Sequence, residues 1–116
     1  MQQRLRLRRR ADFQRLRQTG KTWALPLLVL SVTPNGLPHN RYGVIVTRRL
    51  GTAVARNRAR RRVREAVRHW HAQATPGHDV VLIARPGVLI CPYPELVNAV
   101  QTLFRRAGLL DRAGGE

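Results

Sequence analysis

Acidic side chains are scarce in this 116-residue chain, which has 6 Asp and Glu residues against 22 Lys and Arg. The formal net charge is +16, and self-repulsion on that scale destabilises a compact state, so it is usually tolerated for a polyanionic partner. The six acids are also scattered singly along the sequence. No two of them have the spacing of a general acid–base couple or of a metal-binding cluster. We therefore expect no catalytic residues, no metal site and no protein-bound cofactor.

Nucleophiles and metal ligands are equally sparse. Ser31 is the only serine, and Cys91, the only cysteine, stands between Ile90 and Pro92 in apolar surroundings that keep a thiol unreactive. His69 and His71 are two residues apart, so on a helix they point about 200° away from each other and cannot share a metal ion. The sequence thus disfavours a protein-only nuclease, which would need paired histidines or clustered carboxylates.

Long apolar runs are absent as well. The longest run, residues 24–30, is interrupted by Pro26 and is far shorter than the roughly 20 residues of a membrane-spanning helix. The basic N-terminus is followed by polar residues and not by the apolar core of a signal peptide. A single cysteine excludes an internal disulfide and fits a reducing compartment. We expect a cytoplasmic protein with no membrane partner.

Hydrophobic residues make up 43% of the chain, an ordinary share for a globular protein, and the length suits one domain over residues 1–116. A basic arm over residues 1–10 and a tail over residues 110–116 are expected to be flexible. Between them the sequence predicts a helix at 13–18, strands at 25–33 and 41–47, a long helix at 53–74, a strand at 78–84 and a helix at 94–107. The strand–helix–strand centre predicts an α+β fold, a two-layer α/β sandwich with one sheet covered by helices.

The long helix has two different faces on a helical wheel. One face is apolar and suits docking on a sheet: Ala55, Ala59, Val63, Ala66, Val67, Trp70 and Ala74. The opposite face carries Asn57, Arg61, Arg64 and Arg68, with Arg56, Arg58, Arg60 and Arg62 on the flanks. Like charges three and four residues apart destabilise a helix by a few tenths of a kcal/mol per pair, about 0.2–0.5. A merely solvated face would alternate lysine with glutamate, yet Glu65 is the only acid here, so we favour a polyanion-binding surface.

Three polyanions could fit such a helix. An anionic lipid surface fits poorly, because the apolar face of small residues is needed for the core. DNA readers usually show a helix-turn-helix or zipper context, whereas this helix lies between two strands, so RNA is favoured. Lys21 is the only lysine. A preference for arginine codons explains the choice of arginine over lysine but not the total positive charge.

One long segment is specific enough to identify a family. Residues 41–65, RYGVIVTRRLGTAVARNRARRRVRE, strongly resemble the signature of the bacterial ribonuclease P protein component: a hydrophobic strand, a basic pair, a Gly, an Ala-Val pair and an Arg-Asn-Arg core. Upstream, Asp12 and Phe13 followed by Gly20 and Lys21 are similar to the first helix of that family and its end. Downstream, residues 79–85 resemble the strand that follows the long helix. The resemblance covers about residues 4–107.

The resemblance implies a four-stranded sheet of the ribosomal-protein-S5-domain-2-like type, with a left-handed βαβ crossover. It also implies two partners, ribonuclease P RNA and precursor tRNA, and no small-molecule ligand. The family protein joins a catalytic RNA that removes the 5′ leader of precursor tRNA with Mg²⁺ held by the RNA and the substrate. A ribosomal or general RNA-binding protein without a processing role stays open as the alternative.

The family's functional positions can be carried over residue by residue. Contacts to the catalytic RNA are expected at Arg48, Arg49, Arg56, Asn57, Arg58, Arg60, Arg61, Arg64 and Arg68. A cleft for the single-stranded leader is expected at Phe13, Arg17 and Ser31. Phe13 suits stacking on an unpaired base, although it could equally be a core aromatic of a short helix. Arg17 and Ser31 stand where some members carry cleft aromatics. Arg62 replaces a commonly apolar residue and is expected to widen the charged face.

Overall fold

The computed structural model describes Leu5, Arg6 and residues 10–110, without the side chains of Arg10, Ala11 and Arg17. Its elements are α1 (Arg10–Thr19), β1 (Lys21–Ala24), β2 (Leu28–Pro34), β3 (Arg41–Val46), α2 (Ala53–His71), β4 (His78–Ala84) and α3 (Tyr93–Arg106). Short 3-10 turns at Arg48–Leu50 and Pro86–Leu89 precede α2 and α3. In the described ranges, no helix is long and apolar enough to span a membrane.

The four strands form one sheet in the order β1-β2-β4-β3. β2 pairs antiparallel with β1 and with β4, while β3 and β4 pair in parallel, with Arg41 opposite Asp79 and Val46 opposite Ala84. Parallel neighbours need a long crossover connection, and α2 supplies it. The predicted α+β fold with a four-stranded sheet and a βαβ crossover is therefore confirmed. The left-handed sense of the crossover stays a prediction from the resemblance.

The two faces of the sheet are covered unequally. Alternate residues of a strand point to opposite faces, so Val80, Leu82 and Ala84 of β4 lie in the main core with α2 and α3. On the other face, Val81 of β4 packs against Leu16 of α1 in a small separate cluster. The sheet and the α2/α3 layer make the predicted sandwich, and α1 covers only part of the opposite face. That partial cover leaves a cleft beside α1.

The region predicted as one strand over residues 25–33 is a turn followed by β2, which begins at Leu28. Pro26 cannot donate a ladder hydrogen bond, and the Leu25 amide instead donates to the Leu28 carbonyl at 2.8 Å, which reverses the chain. The preceding four residues form β1, a mostly exposed edge strand that the sequence did not reveal. The first helix is longer than predicted, and it ends where the Gly20 amide donates to the Leu16 carbonyl at 2.9 Å.

The flexibility of the arm and the tail stays a prediction, but three of their described residues contact the rest of the fold. Leu5 is buried in the main core, and Arg6 forms an isolated parallel bridge with Tyr42 of β3. Leu110 is likewise buried. The apolar side chains of Leu5 and Leu110 are removed from water there, which favours their attachment. The other residues of the arm and residues 111–116 lie outside the described residues.

A buried carboxylate at the start of β4 ties α1 to the sheet. Asp79 is fully buried, and Arg41 of β3 donates to both of its oxygens, Nε to Oδ1 at 2.8 Å and Nη2 to Oδ2 at 2.7 Å. Asn35 donates to Oδ1 at 2.9 Å, and Arg15 of α1 donates to Oδ2. Arg15 also donates to the Pro34 carbonyl at 3.3 Å. One side chain thus joins β4, β3, the β2–β3 loop and α1.

The pKa of Asp79 reflects this environment. Burial by itself would raise the pKa, but the hydrogen bonds from Arg41 and Asn35 and the charges of Arg41 and Arg15 outweigh it and hold the pKa below its ordinary value. A carboxyl group whose pKa is depressed by folding stabilises the folded state above the pKa of the unfolded chain. That stabilisation is lost as the pH falls through the depressed value.

We predict that Asp79→Asn lowers the free energy of unfolding at pH 7 by about 3 kcal/mol. This is the low end for removing one partner of a buried ion pair, because Arg15 and Arg41 remain partly exposed. Denaturant titrations between pH 7 and pH 2 should show the wild-type advantage shrinking below about pH 3.9, the ordinary Asp value. Glu65→Gln, which alters an exposed ion pair, is the control and should change stability by under about 0.5 kcal/mol. A difference that did not vary with pH would contradict the ionic role of Asp79.

Candidate RNA interface

The long helix α2 begins at a capped turn that fixes its direction. Gly51 has φ of 120°, a backbone conformation that favours glycine, and the next residue, Thr52, accepts a hydrogen bond from the Ala55 amide at 3.2 Å. The buried residues of α2 are Ala59, Val63, Ala66 and Val67, which confirms the centre of the predicted apolar face. The small side chains bring the helix close to the sheet, and the arginines stand on the outer side.

Four polar residues of α2 line a shallow depression of about 360 Å³ together with Val54. They are Asn57, Arg60, Arg61 and Arg64. Arg60 donates from Nη1 to Oδ1 of Asn57 at 2.8 Å, so the amide orients one guanidinium. Burial and then the charges of Arg6 and Arg60 lower the pKa of Arg64. The arrangement is a concave cationic surface whose side chains offer many N–H donors, as phosphate oxygens require.

On the flank of α2 nearest α3, two arginines bind backbone carbonyl groups of the protein itself. Arg62 donates to the carbonyls of Val88 at 2.7 Å and of Cys91 at 2.7 Å, and Arg58 donates to the carbonyl of Leu89 at 3.3 Å. The expectation that Arg62 widens the charged face is therefore wrong. Its guanidinium satisfies the carbonyl groups of the 3-10 turn and of the bend that follows it, which a local sequence pattern could not indicate. Arg58 remains exposed despite its long contact with the Leu89 carbonyl.

The remaining predicted RNA contacts do not line this depression, and they differ in exposure and in their partners. Arg48 and Arg49 are exposed on the 3-10 turn that leads into α2, and Leu50 anchors that turn in the core. Arg56 is half-buried, and among the described residues its Nε has no hydrogen-bond partner. Arg68 lies 3.6 Å from Glu65 in an exposed ion pair, so its charge is partly offset. The structure thus leaves Arg48 and Arg49 more available than Arg68.

The cleft beside α1 measures about 220 Å³. Its lining residues are mainly apolar: Phe13, Leu16, Ser31, Ile45, Thr47, Val81 and Ile83. Phe13 is half-buried and packs against the small cluster while also lining the cleft, so both interpretations of this residue are compatible with its position. The Ser31 hydroxyl is hydrogen-bonded to that of Thr22 at 3.0 Å. The side chain of Arg17 lies outside the described part of the chain.

Sequence reasoning missed several residues that shape these surfaces. Asp79 was treated as one of six isolated acids, and its arginine partners come from 38 and 64 residues away, where no local pattern connects them. Arg6 was assigned to a flexible arm. The alternation of arginine with Leu5 and Leu7 is typical of a strand and was the available signal. Among the described residues, no group of three or more His, Cys, Asp or Glu side chains is placed to hold a metal ion.

The fold and the exposed arginine surface define a class, small basic α+β proteins that bind RNA. Comparison with known proteins identifies the family. The model of the ribonuclease P family matches residues 1–108. The ribonuclease P protein component of Roseiflexus castenholzii is 46% identical over 117 residues, covering 100% of this chain and 96% of the relative. That of Herpetosiphon aurantiacus is 46% identical over 109 residues, covering 94% and 89%.

Solved structures agree with the sequence comparisons. The RNase P protein of Staphylococcus aureus superimposes with a TM-score of 0.82 at 27% identity, covering 92% of this chain and 98% of that one. The Thermotoga maritima protein gives a TM-score of 0.80 at 30% identity, covering 87% and 96%. This chain belongs to the ribonuclease P protein family. Membership favours a role in tRNA 5′ processing over that of a ribosomal or general RNA-binding protein.

We predict that Arg62→Ala and Arg61→Ala affect stability differently. Arg62→Ala leaves the carbonyls of Val88 and Cys91 without their charged donor and should lower the free energy of unfolding by about 2 kcal/mol. Arg61→Ala removes an exposed charge from a crowded helix and should leave stability within about 0.5 kcal/mol of wild type. Chemical denaturation of both variants checks this. Equal losses would show that Arg62 has no special structural role.

Proposed function

We propose that this protein is the accessory subunit of the ribonuclease P ribonucleoprotein, in which an RNA subunit performs the hydrolysis. The protein docks on that RNA through the arginine surface of α2 and assists removal of the 5′ leader from precursor tRNA. The observation that carries the proposal is the depression lined by Asn57, Arg60, Arg61 and Arg64. Among the described residues, none of these three arginines forms an ion pair with a carboxylate.

The physical task of such a subunit is electrostatic. The RNA subunit and the precursor tRNA are both polyanions, and their phosphates repel each other on approach. A protein with a formal charge of +16 placed between them neutralises phosphates and releases bound counterions, which strengthens the assembly. In this proposal Mg²⁺ is held by the RNA and the substrate and supplies the hydrolytic chemistry. The protein positions the precursor tRNA and neutralises phosphates.

The leader is proposed to lie in the cleft beside α1. Phe13 offers a ring face for stacking on an unpaired base, and the Ser31 hydroxyl offers a polar contact at the cleft wall. Arg17, on the same helix, would supply a guanidinium for a phosphate. Thr47 lines the cleft directly before Arg48 and Arg49, so the cleft adjoins the basic turn that leads to α2. A leader in the cleft could therefore continue towards the RNA-docking surface.

We also propose a cytoplasmic location with no membrane partner and no small-molecule ligand. The single buried cysteine suits a reducing compartment, and precursor tRNA is the macromolecular substrate that the family role requires.

RNA docking through α2 predicts a change in salt dependence. Arg61→Ala should weaken binding of ribonuclease P RNA and reduce the slope of log affinity against log salt concentration by about one unit or less, the value for one lost phosphate contact. Arg58→Ala should have a smaller effect, because Arg58 also contacts the Leu89 carbonyl. Filter binding at several salt concentrations measures both. Arg106→Ala, an exposed arginine of α3, is the control, and an unchanged slope for Arg61→Ala would place that residue away from RNA phosphates.

Reconstitution with the RNA subunit tests the function itself. We expect the purified protein alone to leave precursor tRNA uncut, and the protein to restore leader removal by its RNA at low Mg²⁺. The complex should bind precursor tRNA more tightly than mature tRNA. Phe13→Ala should reduce that preference roughly tenfold, near the low end of stacking energies of about 1–3 kcal/mol per base.

Leu37→Ala, which truncates an exposed apolar residue of the β2–β3 loop, is the matched control and should keep the preference. Cleavage by the protein without RNA would contradict the accessory role. Equal affinity of the wild-type complex for precursor and mature tRNA would contradict leader binding while leaving RNA docking intact.

A further inference from the structure

The ion pair between Arg15 and Asp79 lies on the same face of β4 as the cleft beside α1. Alternate residues of a strand share a face, so Asp79, Val81 and Ile83 form one row along β4. Val81 and Ile83 line the cleft, and Asp79 at the start of the row accepts a hydrogen bond from Nη2 of Arg15. The ionic attachment of α1 therefore begins about 7 Å from the cleft, a distance of two strand residues.

Three neighbouring side chains of α1 point in different directions from the helix axis. Successive residues are about 100° apart around a helix, which places Arg15 and Phe13 about 160° apart with Leu16 between them. Leu16 packs against Val81 of the sheet. On one side of Leu16, Arg15 is tied to Asp79, and on the other side Phe13 lines the cleft. One apolar contact restrains the rotation of a helix weakly, so the ion pair fixes the angle at which Phe13 meets the cleft.

The other donors to Asp79 do not come from α1. Arg41 donates to both carboxylate oxygens and Asn35 donates to Oδ1, so the carboxylate keeps three hydrogen bonds without Arg15. A further ion pair of α1, between Asp12 and Arg41, is longer at 3.5 Å. Removal of the Arg15 side chain is therefore expected to loosen the attachment of α1 and to leave the sheet folded.

We propose that Arg15 is a positioning residue for the precursor tRNA leader, acting through Asp79 to hold Phe13 at the cleft. Arg15 itself lies outside the lining of the cleft. It fixes the rotation of α1, and the ring of Phe13 is thereby held where an unpaired base stacks on it. This role rests on the proposed binding of the leader in the cleft, and it makes the selectivity of the cleft depend on a contact outside it.

A double-mutant cycle in the reconstituted complex of protein and ribonuclease P RNA tests this role. The measured quantity is the ratio of the affinities for precursor and mature tRNA. Arg15→Ala should lower that ratio about threefold, part of the roughly tenfold loss expected for Phe13→Ala. In the Phe13→Ala background Arg15→Ala should lower it no further, because a residue that acts through another has no separate effect. Additive losses would overturn the positioning role.

The salt dependence of precursor binding separates positioning from direct contact. If Arg15 bound a leader phosphate itself, Arg15→Ala would reduce the slope of log affinity against log salt concentration by about 0.7, the value for one phosphate of a single strand. A positioning residue lowers the affinity and leaves the slope unchanged, so a reduced slope would overturn the role. Arg106→Ala, which removes an exposed arginine of α3, is the control for lost charge and should keep the wild-type ratio. An equal fall in Arg106→Ala would show that net charge and not position is responsible.

Binding of the RNA subunit without substrate separates a local effect from a general loss of structure. Arg15→Ala should bind ribonuclease P RNA with wild-type affinity, because α2 packs on the face of the sheet opposite to α1. A parallel loss of RNA affinity would overturn the role. An unchanged ratio in Arg15→Ala would overturn this role alone, whereas equal affinity of the wild-type complex for precursor and mature tRNA would overturn leader binding as well.

Discussion

The ionic network around the Asp79 carboxylate is the interaction that relates the arginine surface of α2 to the cleft beside α1. The carboxylate is fully buried at the start of the central strand β4, and its donors come from β3, the β2–β3 loop and α1. The apolar contact between α1 and the sheet is small, since among the described side chains of the helix only Leu16 is buried and Phe13 packs beside it. An ionic network therefore contributes much of what positions α1. Because one wall of the cleft is α1, the same network sets the width of the cleft.

Much of the fold could be predicted from local periodicity, because the long helix and β4 carry strong patterns. The predicted strand at 78–84 matches β4 residue for residue, and the buried residues of α2 fall on the predicted apolar face. β1 was missed because a four-residue, largely exposed edge strand has little pattern to read. The four-stranded sheet and the cleft came only from the resemblance to the family, since three predicted strands did not require them.

The location of the candidate site could be predicted from the sequence, but the roles of its individual arginines could not. Sequence identifies α2 as crowded with arginine, but it cannot distinguish an arginine that binds RNA from one that binds its own backbone. Arg62 belongs to the second kind, because its acceptors at Val88 and Cys91 are 26 and 29 residues away. Arg15 and Arg41 are likewise occupied by Asp79. A formal charge of +16 thus overstates the charge that is available to a partner.

The N-terminus of α2 gives this surface a direction. The peptide dipoles of a helix place a partial positive charge at its N-terminus, where an acidic residue is stabilising, yet the first turn of α2 has none. The exposed Arg48 and Arg49 stand just before that turn. At the other end, Glu65 and the negative end of the dipole offset the charge of Arg68. The electrostatic potential is therefore graded along the helix. This gradient attracts an approaching polyanion most strongly towards the N-terminal end of α2 and so orients it before any contact forms. Such electrostatic steering increases the rate of association.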